Sequence, residues 1–361
     1  MKKILIYAYT NFNLGDDLFI KILCERYPKT NFILYAPKNY KDNFSYLKNV
    51  KIVPSDLFLV KLINFILLKI LRLNISMREL LAIRCDGIVN IGGSLFMQSD
   101  NWKEKIKRRK KISNKPFFLL GCNFGPYTDD DFYIEYKQIF EKYNDVCFRD
   151  KYSYNLFQDL KNVRYASDIV FQLKKLDFKQ NNKTIAISVI KPSFRKALKG
   201  LDQEYYEKLR EIIIHFVNKG FKVNLLSFCK LEGDEDAIEE ILKNLPETYV
   251  RNVKKIYYRY NMNEMLKVIG SARFIIATRF HSMILGWLYH KPVFPIVYNK
   301  KMTNVIKDIN FTGSYIDINN IDKLSVEDVY SSMFIKPIDI TKQVIDSDRH
   351  FEKLDKFLLG G

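Results

Sequence analysis

Residues 274–282 have the sequence FIIATRFHS. The apolar run Phe274–Ala277 is typical of a β-strand, and a longer apolar segment with helical spacing begins near Met283. The pattern predicts a strand followed at once by a helix, with Arg279 and His281 at the junction. In an open α/β sheet the carboxyl ends of the strands face the ligand crevice. We therefore expect Arg279 and His281 to belong to a ligand site.

The residue types at this junction indicate the chemistry. Arginine offers a rigid fork for a carboxylate or a phosphate, and histidine is the side chain most easily set to move a proton near neutral pH. Lys301 follows the next β-type run, Val293–Val297, and is expected to reach the same anion. Together they favour chemistry on a small, multiply charged anion. The alternative for His281 is a capping or core position.

The length and composition predict a protein with two domains. The chain has 361 residues, of which 47% are hydrophobic, 28% charged and 14% aromatic, as in ordinary folded proteins. Apolar runs alternate with segments of helical period throughout, which predicts parallel, doubly wound sheets. We expect two Rossmann-like lobes facing a cleft. The predicted domains are an N-terminal lobe at 1–175, a C-terminal lobe at 176–326 and a partly helical tail at 327–361 that crosses back onto the first lobe.

The predicted elements of the first lobe alternate between strand and helix. Strands are predicted at Lys3–Ala8, Asn31–Tyr35, Gly87–Ile91, Pro116–Gly121 and Val146–Arg149, and helices at Asp16–Tyr27, Leu57–Leu73 and Phe132–Tyr143.

The second lobe repeats this alternation after a polar linker at Lys174–Lys183. Strands are predicted at Thr184–Val189, Lys222–Ser227, near Tyr249, at Phe274–Ala277 and at Val293–Val297, and helices at Gln203–Lys219, Asp234–Asn244, Met262–Ser271 and Met283–Tyr289.

The net charge of +18 favours anionic partners, namely small phosphorylated substrates, acidic glycans, a membrane face or nucleic acid. The densest run, Lys103–Lys111 (KEKIKRRKK), has seven basic residues in nine. It lacks interleaved aromatic residues and a nucleic-acid motif, so we do not expect nucleic-acid binding. The alternative is a lysine-rich solvated surface.

The cysteines are scattered. There are five, Cys24, Cys85, Cys122, Cys147 and Cys229, without a C-x-x-C pair. This argues against a disulfide framework or a structural zinc site, and we expect neither a metal nor a cofactor. The N-terminal MKKILIYAYT is too short an apolar run for a signal peptide and predicts a first strand, so a cytoplasmic location is expected.

The segment Leu57–Leu73 (LFLVKLINFILLKILRL) is apolar but carries Lys61, Lys69 and Arg72. Three alternatives remain open: a buried helix packed between domains, an interfacial amphipathic helix at the inner face of the membrane, and a transmembrane helix. The last would place a lysine near the middle of the bilayer.

Two glycine-containing loops follow predicted strands. The turn Asn11–Asp17 (NFNLGDD) suits a strand-to-helix connection, and its acidic end favours contact with sugar hydroxyls or proton transfer over phosphate binding. In the loop after Gly87–Ile91, Gly92 and Gly93 allow a close backbone approach to a ligand. The alternative for both loops is a purely structural turn.

Two further strand ends carry charged residues. Arg149 precedes Asp150, which predicts either a local salt bridge or a second anion contact. Glu232 lies in the loop before an acidic helix start and is a possible substrate contact. The acidic residues after it complement the helix dipole without any function.

Taken in order, these motifs resemble the polysaccharide pyruvyl transferase family. The resemblance rests on the N-x-x-x-G-D-D turn at Asn11–Asp17, on Ile91–Leu95, on Phe148-Arg149-Asp150 with Ser153, on Ser167-Asp168, and most specifically on Arg279-Phe280-His281 through to Lys301. It covers about residues 1 to 302.

The resemblance implies a fold of the GT-B glycosyltransferase type, in which the lobe at 1–175 would be on the acceptor side and the lobe at 176–326 would bind the donor. It also implies a specific reaction. Family members transfer the enolpyruvyl unit of phosphoenolpyruvate onto a sugar diol, giving a pyruvate ketal and phosphate. By motif, Arg279, His281, Arg149 and Lys301 would bind the donor, and His281 would protonate the methylene carbon or bind the leaving phosphate.

The remaining roles concern the acceptor. Asp16 or Asp17 would be the base on the sugar hydroxyl, and Asn11, Gly92, Gly93 and Glu232 would contact the acceptor or shape the loops. The acceptor would be a saccharide, lipid-linked or free, used for a capsule or exopolysaccharide. Two other functions remain open, a nucleotide-sugar glycosyltransferase on the same architecture and a non-enzymatic binder of anionic glycan or membrane.

Overall fold

The computed structural model describes residues 1–73, 75–111 and 114–360 and divides into two compact units. Unit 1 comprises Met1–Thr10, Asp16–Gln172 and Gln343–Gly361, and unit 2 comprises Asn11–Gly15 and Leu173–Lys342. Each unit contains a parallel β-sheet with helices, so the chain is an α/β protein of the predicted class.

In the described part of unit 1, seven strands form one sheet in the order β3-β2-β1-β4-β5-β6-β7. All neighbouring strands are parallel. The strands are β1 (Lys3–Tyr7), β2 (Asn31–Ala36), β3 (Val50–Pro54), β4 (Gly87–Ile91), β5 (Phe117–Cys122), β6 (Asp145–Phe148) and β7 (Val163–Tyr165). The central strands β4 and β5 are buried along their whole length, which explains their continuous apolar sequences.

The helices that cover this sheet follow the strands along the chain. They are α1 (Leu14–Arg26), α2 (Tyr40–Asn43), α3 (Phe58–Phe65), α4 (Met77–Ile83), α5 (Trp102–Lys110), α6 (Asp130–Phe140) and α7 (Lys151–Phe157). The core beneath them is rich in aromatic rings, among them Phe96, Phe124 and Phe140. Asp129 and Asp150 cap α6 and α7 through their side chains.

In the described part of unit 2, a sheet of six parallel strands has the order β10-β9-β8-β11-β12-β13. The strands are β8 (Asn181–Ser188), β9 (Lys222–Ser227), β10 (Val253–Tyr257), β11 (Ala272–Ala277), β12 (Val293–Val297) and β13 (Ile316–Asp317). The helices are α8 (Asp202–Asn218), α9 (Asp234–Lys243), α10 (Glu247–Val250), α11 (Met262–Ser271), α12 (Phe280–Leu288), α13 (Lys300–Asp308) and α14 (Val326–Ser332).

The C-terminal residues after Lys342 belong to unit 1. They include most of α15 (Thr341–Asp348) and α16 (Glu352–Asp355). Asp355 accepts hydrogen bonds from Arg26 Nη2 at 2.7 Å and from the Tyr27 hydroxyl at 2.7 Å. His350 is buried, and its Nε2 donates to the carbonyl oxygen of Ser167 at 2.8 Å. These polar contacts hold the C-terminal segment on unit 1.

Most of the predicted elements are present within a few residues of their predicted bounds, and one strand was placed wrongly. A strand was predicted near Tyr249, but this residue lies in α10, and the strand is β10, at Val253–Tyr257. Pro246 precedes α10 and suits a helix start, which the sequence interpretation overlooked. The elements that were not predicted include β3, β7, β13, α2, α4, α5 and α13.

The apolar segment Leu57–Leu73 is not buried, so the buried-helix alternative is wrong. It forms α3 followed by a π-helical turn at Ile66–Ile70. Phe58 is 80% exposed and Phe65 is 55% exposed, whereas Val60 is buried. In the described residues, no helix is long and apolar enough to cross a membrane. The interfacial alternative remains a proposal.

Candidate active site

In unit 2 the charged residues of the candidate site follow the carboxyl ends of β8, β9, β11 and β12. The turn after β11 is fixed by Ser188 at the end of β8, because the Ser188 Oγ accepts hydrogen bonds from Thr278 N (3.1 Å) and Arg279 N (3.0 Å). Arg279 then occupies the N-cap position of α12, which begins at Phe280. The predicted strand–helix junction therefore lies at the predicted edge of the sheet.

The Arg279 side chain is buried and paired with Asp234. Its Nε donates to Asp234 Oδ2 at 2.9 Å, and its Nη2 donates to Asp234 Oδ1. Asp234 is fully buried and also accepts bonds from the backbone N–H groups of Phe228 (2.9 Å) and Cys229 (3.0 Å). Burial disfavours a charged guanidinium, but Asp234 and Glu232 hold the pKa of Arg279 above its usual range.

Glu232 joins two arginines. Its Oε2 accepts from Arg279 Nη1 and, at 2.6 Å, from Arg195 Nη2. Burial raises the pKa of this carboxyl, but Arg279, Arg195 and Lys301 outweigh burial and lower it to about 2. Glu232 is therefore ionised throughout the physiological pH range and bridges the two arginines.

Lys301 and Tyr298 complete this group. The Lys301 Nζ lies 5.6 Å from the centre of the Phe280 ring, and the Arg195 guanidinium lies 4.6 Å from the centre of the Tyr298 ring. Burial raises the pKa of Tyr298, yet Lys301, Arg195 and Arg279 together lower it below its usual value. The positive potential at this edge therefore exceeds what the carboxylates neutralise.

We call Arg195, Glu232, Asp234, Arg279, Tyr298 and Lys301 the unit 2 cluster. Its three cations and two carboxylates leave one excess positive charge, 3 − 2 = +1. Three N–H groups of Arg279 already bind carboxylates, so its predicted anion contact would use the remaining N–H groups. An anion at this edge would meet a partly neutralised guanidinium, with Arg195 and Lys301 less deeply buried beside it.

His281 lies against the turn that precedes α1. A Cβ on Gly15 would come within 1.7 Å of His281 Nδ1, so only glycine fits at this position. Asn13 shapes the same turn, since its Oδ1 accepts from Gly15 N at 3.1 Å and its Nδ2 approaches Glu232 at 3.4 Å. The carbonyl oxygen of Asn11 lies 3.7 Å from the Cys229 Sγ. Unit 2 therefore brings His281, the turn and Glu232 together.

The last two residues of the Asn11–Asp17 motif belong to unit 1 and are carboxylates with different surroundings. Asp16 is partly exposed, and its Oδ1 lies 3.4 Å from the point where a Cβ on Gly92 would be, in a backbone conformation (φ +147°) that favours glycine. Asp17 is fully buried, and its carboxylate accepts from the Tyr40 hydroxyl and from Asn43 Nδ2, both at 3.0 Å. These contacts argue against Asp17 as the base and give it a role in packing.

Arg149 is also buried and paired. Its Nη1 donates to Asp168 Oδ2 at 2.9 Å, and its Nη2 donates to Asn123 Oδ1 at 2.9 Å. The guanidinium packs on Gly93, where a Cβ would come within 2.6 Å of Nη2. Asp150, the next residue, caps α7 by accepting hydrogen bonds from the Ser153 N–H at 2.8 Å and the Ser153 hydroxyl at 3.0 Å.

The sequence interpretation missed Arg195, Asp234 and Tyr298 as members of the unit 2 cluster. Asp234 was interpreted only as a charge at a helix start. Arg195 follows β8, which pairs with β11 in the sheet. The signal that could have found Arg195 is the sheet order, because parallel neighbours end at the same edge.

The chain matches known proteins along most of its length. A family model for polysaccharide pyruvyl transferases matches residues 13–300. The amylovoran biosynthesis protein AmsJ of Erwinia amylovora is 22% identical over 369 residues, covering 89% of each chain.

Solved structures with low sequence identity share the fold. The UDP-GlcNAc 2-epimerase of Methanocaldococcus jannaschii is 11% identical, with a TM-score of 0.61 over 100% of both chains. The Anabaena HepE structure in complex with UDP and glucose is 12% identical, with a TM-score of 0.57 over 100% of both chains. These structures confirm the expected GT-B-like architecture.

Proposed function

Because the chain belongs to the polysaccharide pyruvyl transferase family, we propose that it transfers the enolpyruvyl unit of phosphoenolpyruvate onto two hydroxyls of a saccharide. The chain is an enzyme, a transferase of polysaccharide biosynthesis, and the alternative of a non-enzymatic binder is set aside. The finer parts of the proposal are the donor, the ketal product and the use of that product in an exopolysaccharide or a capsule.

The observation that supports this donor is the excess positive charge of the unit 2 cluster beside His281. Phosphoenolpyruvate carries a carboxylate and a phosphate, and guanidinium and ammonium groups are the side chains that bind such oxyanions most strongly. We assign Arg195 and Lys301 to direct contact with the donor. Arg279, held by Asp234 and Glu232, would contribute its remaining N–H groups from a fixed orientation.

The reaction forms two C–O bonds and breaks one. Two sugar oxygens become bonded to C2 of the enolpyruvyl unit, and the bond between C2 and the phosphate oxygen breaks. Of the two hydroxyl protons, one is balanced by the proton that converts the methylene into a methyl group, and the other leaves with phosphate. General acid–base groups accelerate such proton transfers by about 10²–10⁴-fold. No cofactor enters this scheme.

We assign the acid role to His281, whose ring lies against the backbone of Gly15. Asp16 is the proposed base on the sugar hydroxyl, because both Asp17 oxygens accept hydrogen bonds inside unit 1. Arg149 is proposed as a second anion contact. The roles of Asp16 and Arg149 rest on their places in the family motifs.

We also propose that the protein associates peripherally with the inner face of the membrane, where a lipid-linked saccharide would be presented. The support is the exposed apolar surface of α3 and its π-helical extension. Exposed large apolar side chains are Leu57, Phe58, Leu59, Leu62, Phe65, Ile70, Leu71 and Leu73. Lys61, Lys69 and Arg72 are exposed beside them and complement anionic lipid headgroups.

A thermal-shift screen tests the donor assignment. We expect phosphoenolpyruvate to raise the melting temperature of the full-length protein, and UDP-, GDP- and CMP-sugars to leave it unchanged. Stabilisation by a nucleotide sugar alone would favour the glycosyltransferase alternative.

A further inference from the structure

A cavity of about 500 Å³ lies within unit 1, and none of its lining residues is assigned a role in the function proposed above. It opens beside the carboxyl ends of β1 and β4 and is bordered by α4, α5 and α6. Such strand ends are the usual ligand-binding edge of a parallel sheet. The basic run Lys103–Lys111 lies mainly on α5, so the cavity gives part of that run a specific location.

The cavity lining is strongly basic. Arg78 contributes from α4, and Lys105, Arg108 and Arg109 contribute from α5. Glutamates bind two of these groups: Glu79 accepts from Arg78 Nε at 3.2 Å, and Glu104, which is 68% exposed, lies 3.5 Å from Arg108. Four cations against two carboxylates leave an excess of two positive charges, 4 − 2 = +2. The other two cations, Lys105 and Arg109, donate hydrogen bonds to the neutral hydroxyl groups of Ser99 and Tyr143.

Aromatic groups hold the cations in place. The Arg78 guanidinium lies 4.4 Å from the centre of the Tyr7 ring, and the Arg109 guanidinium lies 5.0 Å from the Phe96 ring and 5.9 Å from the Tyr136 ring. The Lys105 Nζ donates to the Ser99 Oγ at 2.9 Å. Burial and the neighbouring Arg109, Arg108 and Arg78 lower the pKa of Lys105, as expected where positive charges face one another.

A second observation also points to a ligand at this cavity. Tyr7 lines the cavity and is only 4% exposed, and within residues 1–73, 75–111 and 114–360 its hydroxyl has no hydrogen-bond partner. Buried hydroxyl groups are nearly always paired. A buried donor without an acceptor, beside four cations, is the complement of an oxyanion.

We propose that this cavity binds a phosphorylated saccharide, with its phosphate at Lys105, Arg108 and Arg109 and its sugar ring against the tyrosines. An excess of two positive charges matches a phosphate better than a single carboxylate. The cavity is larger than a phosphate alone requires, and Tyr9 and Tyr136 offer flat apolar surfaces with hydroxyl groups at their edges. The saccharide part rests on the proposed function, since it identifies this ligand with the acceptor.

Calorimetric titration of glucose 1-phosphate into the full-length protein tests the proposal, with glucose as the uncharged reference. The cavity variant is Lys105→Gln with Arg108→Gln. The matched control is Lys103→Gln with Lys107→Gln, which removes the same charge from the same helix at residues outside the cavity lining. Thermal melting shows whether each variant is folded.

We expect the wild type and the control to bind glucose 1-phosphate with affinities within twofold of each other. The cavity variant should bind at least about tenfold more weakly, because it loses two charged contacts. No binding by the wild type, or equal loss in the cavity variant and the control, would overturn the proposal.

A vesicle experiment distinguishes the source of the phosphate. Retention on phosphatidylcholine vesicles containing undecaprenyl phosphate, lost in the cavity variant, would identify a lipid-borne phosphate. Binding of glucose 1-phosphate without such retention would identify a free sugar phosphate. Neither measurement requires phosphoenolpyruvate. The cavity proposal can therefore fail while the transferase proposal stands, and the transferase proposal can fail while the cavity proposal stands.

Discussion

The imidazole of His281 lies directly on the backbone of Gly15, 1.7 Å from the point where a Cβ of residue 15 would be. The strand–helix junction after β11 and the glycine of the N-x-x-x-G-D-D turn therefore form one structural unit, although 266 positions separate them in the sequence (281 − 15). The glycine is required by the ring of His281, and the ring orientation in turn depends on the glycine.

Replacement of Gly15 by alanine should therefore displace His281. We expect Gly15→Ala to lower the free energy of unfolding by about 1–3 kcal/mol, the usual cost of overpacking. In a His281→Ala background the same change should cost much less, because the ring is absent. Urea unfolding of the four proteins of this double-mutant cycle measures the coupling. An equal cost in both backgrounds would show that His281 does not explain the glycine.

Loss of Arg279 should affect stability as well as activity. Arg279→Ala leaves the carboxylate of the fully buried Asp234 without its guanidinium, and breaking a buried pair in this way costs about 3–5 kcal/mol. Addition of Asp234→Asn should recover part of that loss, since it removes the unpaired charge. Chemical denaturation measures both changes. A variant as stable as the wild type would contradict the ion-pair role.

His350 should make the protein sensitive to acid. Burial, together with Arg164, lowers its pKa to about 3, whereas an unfolded chain has the ordinary value near 6.5. Between these values the unfolded state binds one more proton, so stability falls as the pH falls from about 6.5 towards 3. The contribution is at most about 1.4 kcal/mol per pH unit.

His350→Gln removes this titration and should flatten the dependence of the unfolding free energy on pH in that window. The comparison with the wild type isolates His350 from the carboxylates, which titrate in both proteins. Identical slopes for the two proteins between pH 6 and 4 would exclude the buried neutral histidine as the cause.

Membrane association should depend on the exposed face of α3. Phe58→Ser with Phe65→Ser should abolish co-flotation with anionic vesicles, because about 1.5–3 kcal/mol of burial energy is lost for each phenylalanine. The control is Phe334→Ser with Ile345→Ser, which removes equally exposed apolar side chains elsewhere. Flotation that persists in the α3 variant, or is lost equally in the control, would rule out this surface.

The sequence predicted which residues follow the strands better than it predicted which side chains those residues contact. Arg279, His281 and Lys301 could be placed because each follows a continuous apolar run, which is a local signal. Asp234 and Arg195 could not, since their pairing depends on which strands are neighbours, and that order has no local signature.

The sequence interpretation also failed to predict which apolar and charged residues are exposed. The apolar pattern of Leu57–Leu73 predicted a helix correctly over Phe58–Phe65, but hydrophobicity alone does not distinguish a core helix from one exposed on the surface. The basic run at Lys103–Lys111 was similarly visible as charge. Only the structure showed that Lys105 and Arg108 line a cavity while Lys103 and Lys107 do not.

The most direct test of the proposed transferase is calorimetric titration of phosphoenolpyruvate into the wild type, Lys301→Gln and Lys300→Gln. Lys300 is the exposed neighbour of Lys301 on α13 and serves as the matched control. We expect the wild type and Lys300→Gln to bind phosphoenolpyruvate with equal affinity, and Lys301→Gln to bind it about tenfold more weakly. Equal affinity in all three proteins, or no binding of phosphoenolpyruvate to the wild type, would contradict it.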